Sequence, residues 1–236
     1  MGDLPQLSLL DGFALSVGGE SQLGLPIGSQ RLLGFLAVHV RAATRARVAG
    51  TLWPESSDAR AAACLRSALS RLDHRVRPAL TVTAGDLGLA EGVHVDLHHA
   101  QALADRLIDP DALPAAEDVG SQAVRALSAD LLPGWGDDWA VAAAGDWRQL
   151  RLHALEVVAA RLADAHRWAE AEAAAQAAVR AEPLRESARA ALIRVQIAEG
   201  RHSVAVEEFE RYRRLMEAEL GIAPTPSISQ LVVGLS

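Results

Sequence analysis

The sequence predicts a mixed, mainly α protein, with an N-terminal winged helix-turn-helix over residues 1–97 and an all-α, tetratricopeptide-like domain over residues 98–236. Three observations predict it. Strand patterns, three helical patterns and further strand patterns follow one another in the first hundred residues. A 34-residue period relates helix pairs in the second half. Charge is also divided: residues 1–100 carry 9 Arg and 9 Asp plus Glu, net 0, and the remaining 14 and 21 leave residues 101–236 at −7.

The elements follow in order. "LSLLDGFALSVGG" alternates apolar with small or polar residues around an Asp-Gly turn, as a hairpin or meander does. From Ser29, read as an N-cap, Leu32, Leu33, Leu36, Ala37 and Val40 share one face of a first core helix. Thr44 caps a second, short helix with Val48, Ala49 and Leu52 inward, and Pro54 blocks its continuation. A third helix is expected over "ARAAACLRSALSRLDHRV", residues 59–76, ended by Pro78, with Ala61, Leu65, Ala68, Leu69, Leu72 and Val76 as its buried stripe. "LTVTAGDLGLAEGVHVDL" then supplies two or three short strands.

Residues 41–77 hold 8 Arg against Glu55, Asp58 and Asp73, a local net charge of +5. An arginine-bearing helix is often just a solvated face. Here it follows a second helix and precedes a hairpin, the arrangement that lays an outer helix face into the major groove of a duplex. Arg60, Arg66, Ser67, Ser70, Arg71 and Arg75 are therefore the candidate DNA-binding residues on the third helix, with Arg45 and Arg47 as backbone contacts. The hairpin tip "TAGDLG" has no basic residue, so any contact from it is expected through the main chain.

In the second half, helices are expected over 97–109, from Ser121 to the Pro133-Gly134 break, and over 140–166, 168–181, 184–199 and 202–220, with a loop over 109–120. Arg167 and Ala171 recur as Arg201 and Ala205, 34 positions on, each at the start of the second helix of a pair. Ala159, Ala171 and Ala178 are small where helices must approach, and Pro183 stands at the closing turn. The second unit departs at Ile193, Tyr212 and Glu217, and its last helix runs on to Gly221. Such arrays usually serve protein–protein contact.

The quoted stretches "GSQRLLGFLAVH", "LWPESSDARAAACLRSALSRL", "VHVDLHHAQAL", "LLPGWGDDW", "EPLRESARAALIRV" and "LGIAPTP" resemble, in this order, the bacterial transcriptional activator domain family, the antibiotic regulatory proteins of the type found in actinomycetes. The resemblance runs from about residue 7 to 231. It implies a response-regulator-like winged helix joined to a tetratricopeptide-like domain. It also implies a transcriptional activator, of the kind that governs antibiotic and other specialised-metabolite pathways, that binds direct repeats in double-stranded DNA near promoters, commonly as a homodimer, and helps recruit RNA polymerase. At Asp73-His74 the family often carries basic residues. An acid there is expected to weaken phosphate contact or to pair with Arg66 or Arg77. A protein-interaction or dimerisation module with a degenerate winged helix is the alternative reading.

The Trp-rich segment poses a separate question. Trp135, Trp139 and Trp147, three of five tryptophans, lie beside Asp137 and Asp138. The resemblance makes them packing anchors of the helical domain, and the two aspartates suit a helix N-terminus better than acid–base catalysis. His94, Asp96, His98 and His99 crowd together but straddle a strand-to-helix junction, so no metal site is expected. Ser56 and Ser57 lack an activating partner, and the single cysteine, Cys64, is read as a small packing residue although nearby arginines favour a thiolate. The chain lacks lysine and any G-x-x-x-x-G-K-[ST] stretch, so no cofactor and no enzyme activity are expected. No apolar run approaches membrane-spanning length and no secretory leader is recognisable, so a small, stand-alone cytoplasmic regulator with no membrane partner is expected.

Overall fold

The computed structural model describes residues 5–22, 24–112, 115 and 118–235. Residues 1–4 and 23 of the expected winged helix-turn-helix, residues 113, 114, 116 and 117 of the expected loop over 109–120, and residue 236 lie outside the described residues. The fold is mixed and mainly α, a winged helix-turn-helix followed by an all-α, tetratricopeptide-like array. Contacts group the chain into two compact units: Met1–His99 with Asp130–Trp147, and Ala100–Ala129 with Arg148–Ser236.

In the first unit, β1 (Gln6–Ser8) and β2 (Ala14–Val17) form the expected hairpin. Asp11 and Gly12 take positive φ in its turn, which suits the Asp-Gly pair. The pairing Leu7↔Leu15 sends two leucines to the same buried face. β3 (Glu20–Ser21) continues the meander, and β7 (His94–Val95) joins β1 in parallel, giving the order β3-β2-β1-β7. A second sheet, β4-β6-β5, combines β4 (Ala43–Thr44) with the hairpin of β5 (Leu80–Val82) and β6 (Asp86–Leu89).

Helix α1 (Ile27–Val38) begins at Pro26, whose fixed φ suits a helix start; Ser29 is not its cap. The Ser29 hydroxyl is buried and donates to the Ala68 carbonyl at 2.9 Å, so it pins α1 to α3 (Asp58–Ser70). Val40, expected inward, lies beyond the helix and is exposed. Helix α2 (Arg45–Leu52) starts as expected, with the Thr44 hydroxyl accepting the Arg47 N–H at 3.3 Å and with Val48, Ala49 and Leu52 buried.

The second unit contains the later part of α4 (Asp96–Ile108), α5 (Ser121–Ser128), the later part of α6 (Asp138–Asp164), α7 (Trp168–Ala181), α8 (Glu186–Ala198), α9 (His202–Leu220) and α10 (Pro226–Ser229). The 34-residue period is visible in the backbone. Arg167 and Arg201 precede α7 and α9 with φ/ψ of −89/63° and −87/62°. Each donates its N–H back to the preceding helix, at Leu162 (2.9 Å) and Gln196 (2.8 Å), after a left-handed residue, His166 or Gly200. Ala171 and Ala205 are both fully buried, as close helix approach requires. Tyr212 stands where the first repeat has Ala178 and fills the larger space in a cluster with Ile193, Phe209, Met216 and Ile228 of α10.

Candidate nucleic-acid interface

Helix α3 seats on the unit through Ala61, Leu65 and Ala68. At about 100° per residue the side opposite that stripe is a ridge of short side chains, Ala59, Ala63, Ser67 and Ser70. Arg66 flanks it on one side, Arg60 and Arg71 on the other, roughly 120–140° around the helix. Ala59, Ala63, Ser70 and the three arginines are exposed, and Ser67 is half-buried. Among the described residues Arg45, Arg47, Arg60, Arg66 and Arg71 pair with no carboxylate.

The helix ends at Ser70, not at residue 76. Asp73 is the reason. Its carboxylate accepts the Arg75 N–H at 2.8 Å, and its carbonyl accepts from Val76 and Arg77 at 3.0 and 3.1 Å, so the chain closes a side-chain-stabilised turn instead of continuing the helical ladder. That backbone N–H is the main cause holding the Asp73 carboxyl below its ordinary value; it works against desolvation and is helped by the charges of His74 and Arg75. Leu72 and Val76 still point inward.

Two expectations change with this turn. Asp73 pairs with His74 and Arg75, at 3.1 and 3.5 Å, instead of Arg66 or Arg77. Arg75 leaves the outer face of α3, donating to Gln22 Oε1 at 3.2 Å and approaching Glu20 at 3.5 Å. The unpaired DNA-facing candidates that remain are Arg60 and Arg66 on the helix and Arg71 at its C-cap, with Ser67 and Ser70. The Ser70 hydroxyl donates to the Ser67 carbonyl at 2.9 Å, so its lone pairs face outward as acceptors.

The Trp-rich segment supports this arrangement from behind, whereas the resemblance assigns it to the helical domain. Leu10 bridges to Leu131, and the Trp135 ring lies over Gly34 of α1. Trp139 meets Phe35 edge-on with centroids 5.5 Å apart and Trp135 edge-on at 5.8 Å. Asp137 pairs with Arg31, and Arg31 also donates to the carbonyl of Leu52 at 2.6 Å, where α2 ends. Asp138 is the first residue of α6. Asp137 is thus held in an ion pair that links the segment to α1 and the end of α2.

His94, Asp96, His98 and His99 also have structural partners. Asp96 accepts the N–H groups of Leu9 and Leu10 at 2.8 and 3.2 Å, closing the end of β1. His98 reaches the Ala37 carbonyl at 2.6 Å, and His99 stacks on His94. Among the described residues no three His, Cys, Asp or Glu side chains converge on a point that suits a metal, and no helix is long and apolar enough to cross a membrane. Cys64 is half-buried on α3 beside Trp53 and Arg71.

The family model described as "Bacterial transcriptional activator domain" matches residues 94–233. The chain belongs to the bacterial transcriptional activator domain family. The chain is 30% identical over 234 residues to the regulatory protein AfsR of Streptomyces coelicolor, an alignment that takes in 94% of this chain and 22% of the relative, so the chain spans about a fifth of that relative's length. A solved structure of Mycobacterium tuberculosis EmbR in complex with a low-affinity phosphopeptide has the same fold, with a TM-score of 0.66 at 21% identity over 98% of this chain and 64% of that one. Membership of the bacterial transcriptional activator domain family puts the chain among transcriptional regulators. The matched stretch starts at β7 and takes in the Trp-rich segment and both helix pairs; α3 lies outside it.

Proposed function

We propose that the chain is a sequence-specific DNA-binding transcriptional activator, with functional domains over 1–97 and 98–236, that reads duplex DNA with the outer ridge of α3. The observation that carries this reading is the ridge itself. Short side chains at Ala59, Ala63, Ser67 and Ser70 let the helix backbone approach base edges, where an Ala methyl suits a thymine methyl and Ser suits either donor or acceptor. Arg66 on one flank and Arg60 and Arg71 on the other, all unpaired, reach toward the phosphates bordering the groove. The resemblance and family extend the proposal to direct repeats near promoters of a specialised-metabolite pathway, bound by a homodimer that helps recruit RNA polymerase through the helical array. Asp73 does not favour the alternative of a degenerate winged helix, because its carboxylate is spent on the turn after α3.

The test is titration of labelled genomic fragments at several salt concentrations. A saturable, salt-sensitive complex is expected, and Arg71→Ala should weaken binding to every fragment and lower the salt slope by about one ion. An absence of any such complex contradicts the reading.

A further inference from the structure

Three arginines, Arg45 at the start of α2, Arg66 on α3 and Arg77 in the turn beyond it, line one cleft of about 420 Å³. None has a carboxylate partner among the described residues. Leu69, Leu80 and Val82 form its apolar wall, and Ser70 stands at the edge. Like charges gathered around an open cleft without counter-charge repel one another and favour an anion among them.

The neighbouring hairpin tip has the opposite character. Its two-residue turn, Ala84-Gly85, is closed by Thr83 and Asp86, with the Asp86 N–H donating to the Thr83 hydroxyl at 2.9 Å. The Gly85 carbonyl accepts the Arg45 N–H at 2.9 Å, which ties the tip back to the first residue of α2. Its one charged side chain is the acid Asp86. The tip is thus short and tethered, and its own charged side chain is an acid; the arginines line the cleft beside β5.

We infer that DNA is held in the cleft beside β5 and not by the side chains of the hairpin tip: Arg45, Arg66 and Arg77 clamp one stretch of phosphodiester backbone, and its deoxyribose carbons rest on Leu69, Leu80 and Val82. This rests on the reading of α3 as the DNA-facing helix and adds Arg77 to it. Arg66 is shared between the ridge and the cleft, so the clamp fixes the depth and register at which α3 enters the groove. Phosphate contacts carry no sequence information, so the clamp acts on any duplex.

The experiment uses the full chain and a fluorescein-labelled mixed-sequence duplex of roughly 30 base pairs, titrated between about 50 and 200 mM salt. Arg77→Ala and Arg45→Ala are each expected to lower the salt slope by about one, so that the loss of affinity across that range shrinks roughly threefold. Arg77→Lys keeps the slope. Asp86→Asn, at the tip, leaves it unchanged. Arg77 is exposed and unpaired, so its variants should melt like the parent chain. If Arg71→Ala lowers the slope and Arg77→Ala and Arg45→Ala do not, the clamp is wrong and the reading of α3 stands. If the parent chain gives no salt-dependent complex with any duplex, both fall.

Discussion

Asp137 receives the Arg31 guanidinium through both of its carboxylate oxygens, across 106 positions of sequence. Arg31 sits on α1 and also holds the last carbonyl of α2, so one ion pair joins the segment before α6 to the two helices that carry α3. Both side chains are mostly sheltered, 23% and 18% exposed, so solvent screening is incomplete.

Asp137→Ala should therefore destabilise the first unit. Removing one partner leaves a sheltered guanidinium with the Leu52 carbonyl alone, a loss on the order of 1–3 kcal/mol. Urea denaturation followed by tryptophan fluorescence reads it, because Trp135 and Trp139 lie in this unit. An unchanged midpoint would mean that the pair contributes nothing net.

Gly34→Ala probes the same support by packing. A Cβ at Gly34 would stand 3.2 Å from two ring atoms of Trp135 and 3.5 Å from Trp139. The Trp135 ring cannot easily retreat, since Phe13 faces it with centroids 5.9 Å apart and Trp139 meets it edge-on. Overpacking of this kind costs about 1–3 kcal/mol. The cost should shrink in a Trp135→Phe background, and a double-mutant cycle on thermal midpoints measures the coupling. Additive effects would show that ring and methyl do not meet.

These contacts also mark where sequence reading stops. The helices of the second unit were legible because their apolar spacing and repeat are local: Arg167 and Arg201 occupy matching backbone positions, 34 residues apart. Thr44 and Gly221 likewise announced a cap and a stop that depend on near neighbours alone. No local signal ties Asp137 to Arg31, or Trp135 to Gly34, and the parallel pairing of β7 with β1 is equally remote. The end of α3 failed for a different reason. Leu72 and Val76 keep the helical spacing and are buried, but Asp73 offered the backbone a competing hydrogen bond that the apolar pattern does not register. Arg75, assigned by that pattern to the outer face of the helix, lies in the turn beyond it.

The Asp118 carboxylate accepts from Arg106 at 2.8 and 3.3 Å and from the Ala115 N–H at 3.1 Å, which fastens the chain just before α5 to α4. The Arg106 hydrogen bonds are the main cause holding its carboxyl below the ordinary value of 3.8, with the Ala115 N–H and the Arg106 charge adding to them against the cost of burial. A carboxyl lowered on folding contributes stability that is fully present above its unfolded value and is lost as pH falls through the folded one. Asp118→Asn should thus be less stable than the parent at about pH 7, and the gap should close as pH falls below about 3.8, because the parent then protonates the same group. Thermal melting of both chains across that window checks it. A gap that stays constant down to about pH 3 would mean that the Asp118 contribution comes from shape and neutral hydrogen bonding instead of from its charge.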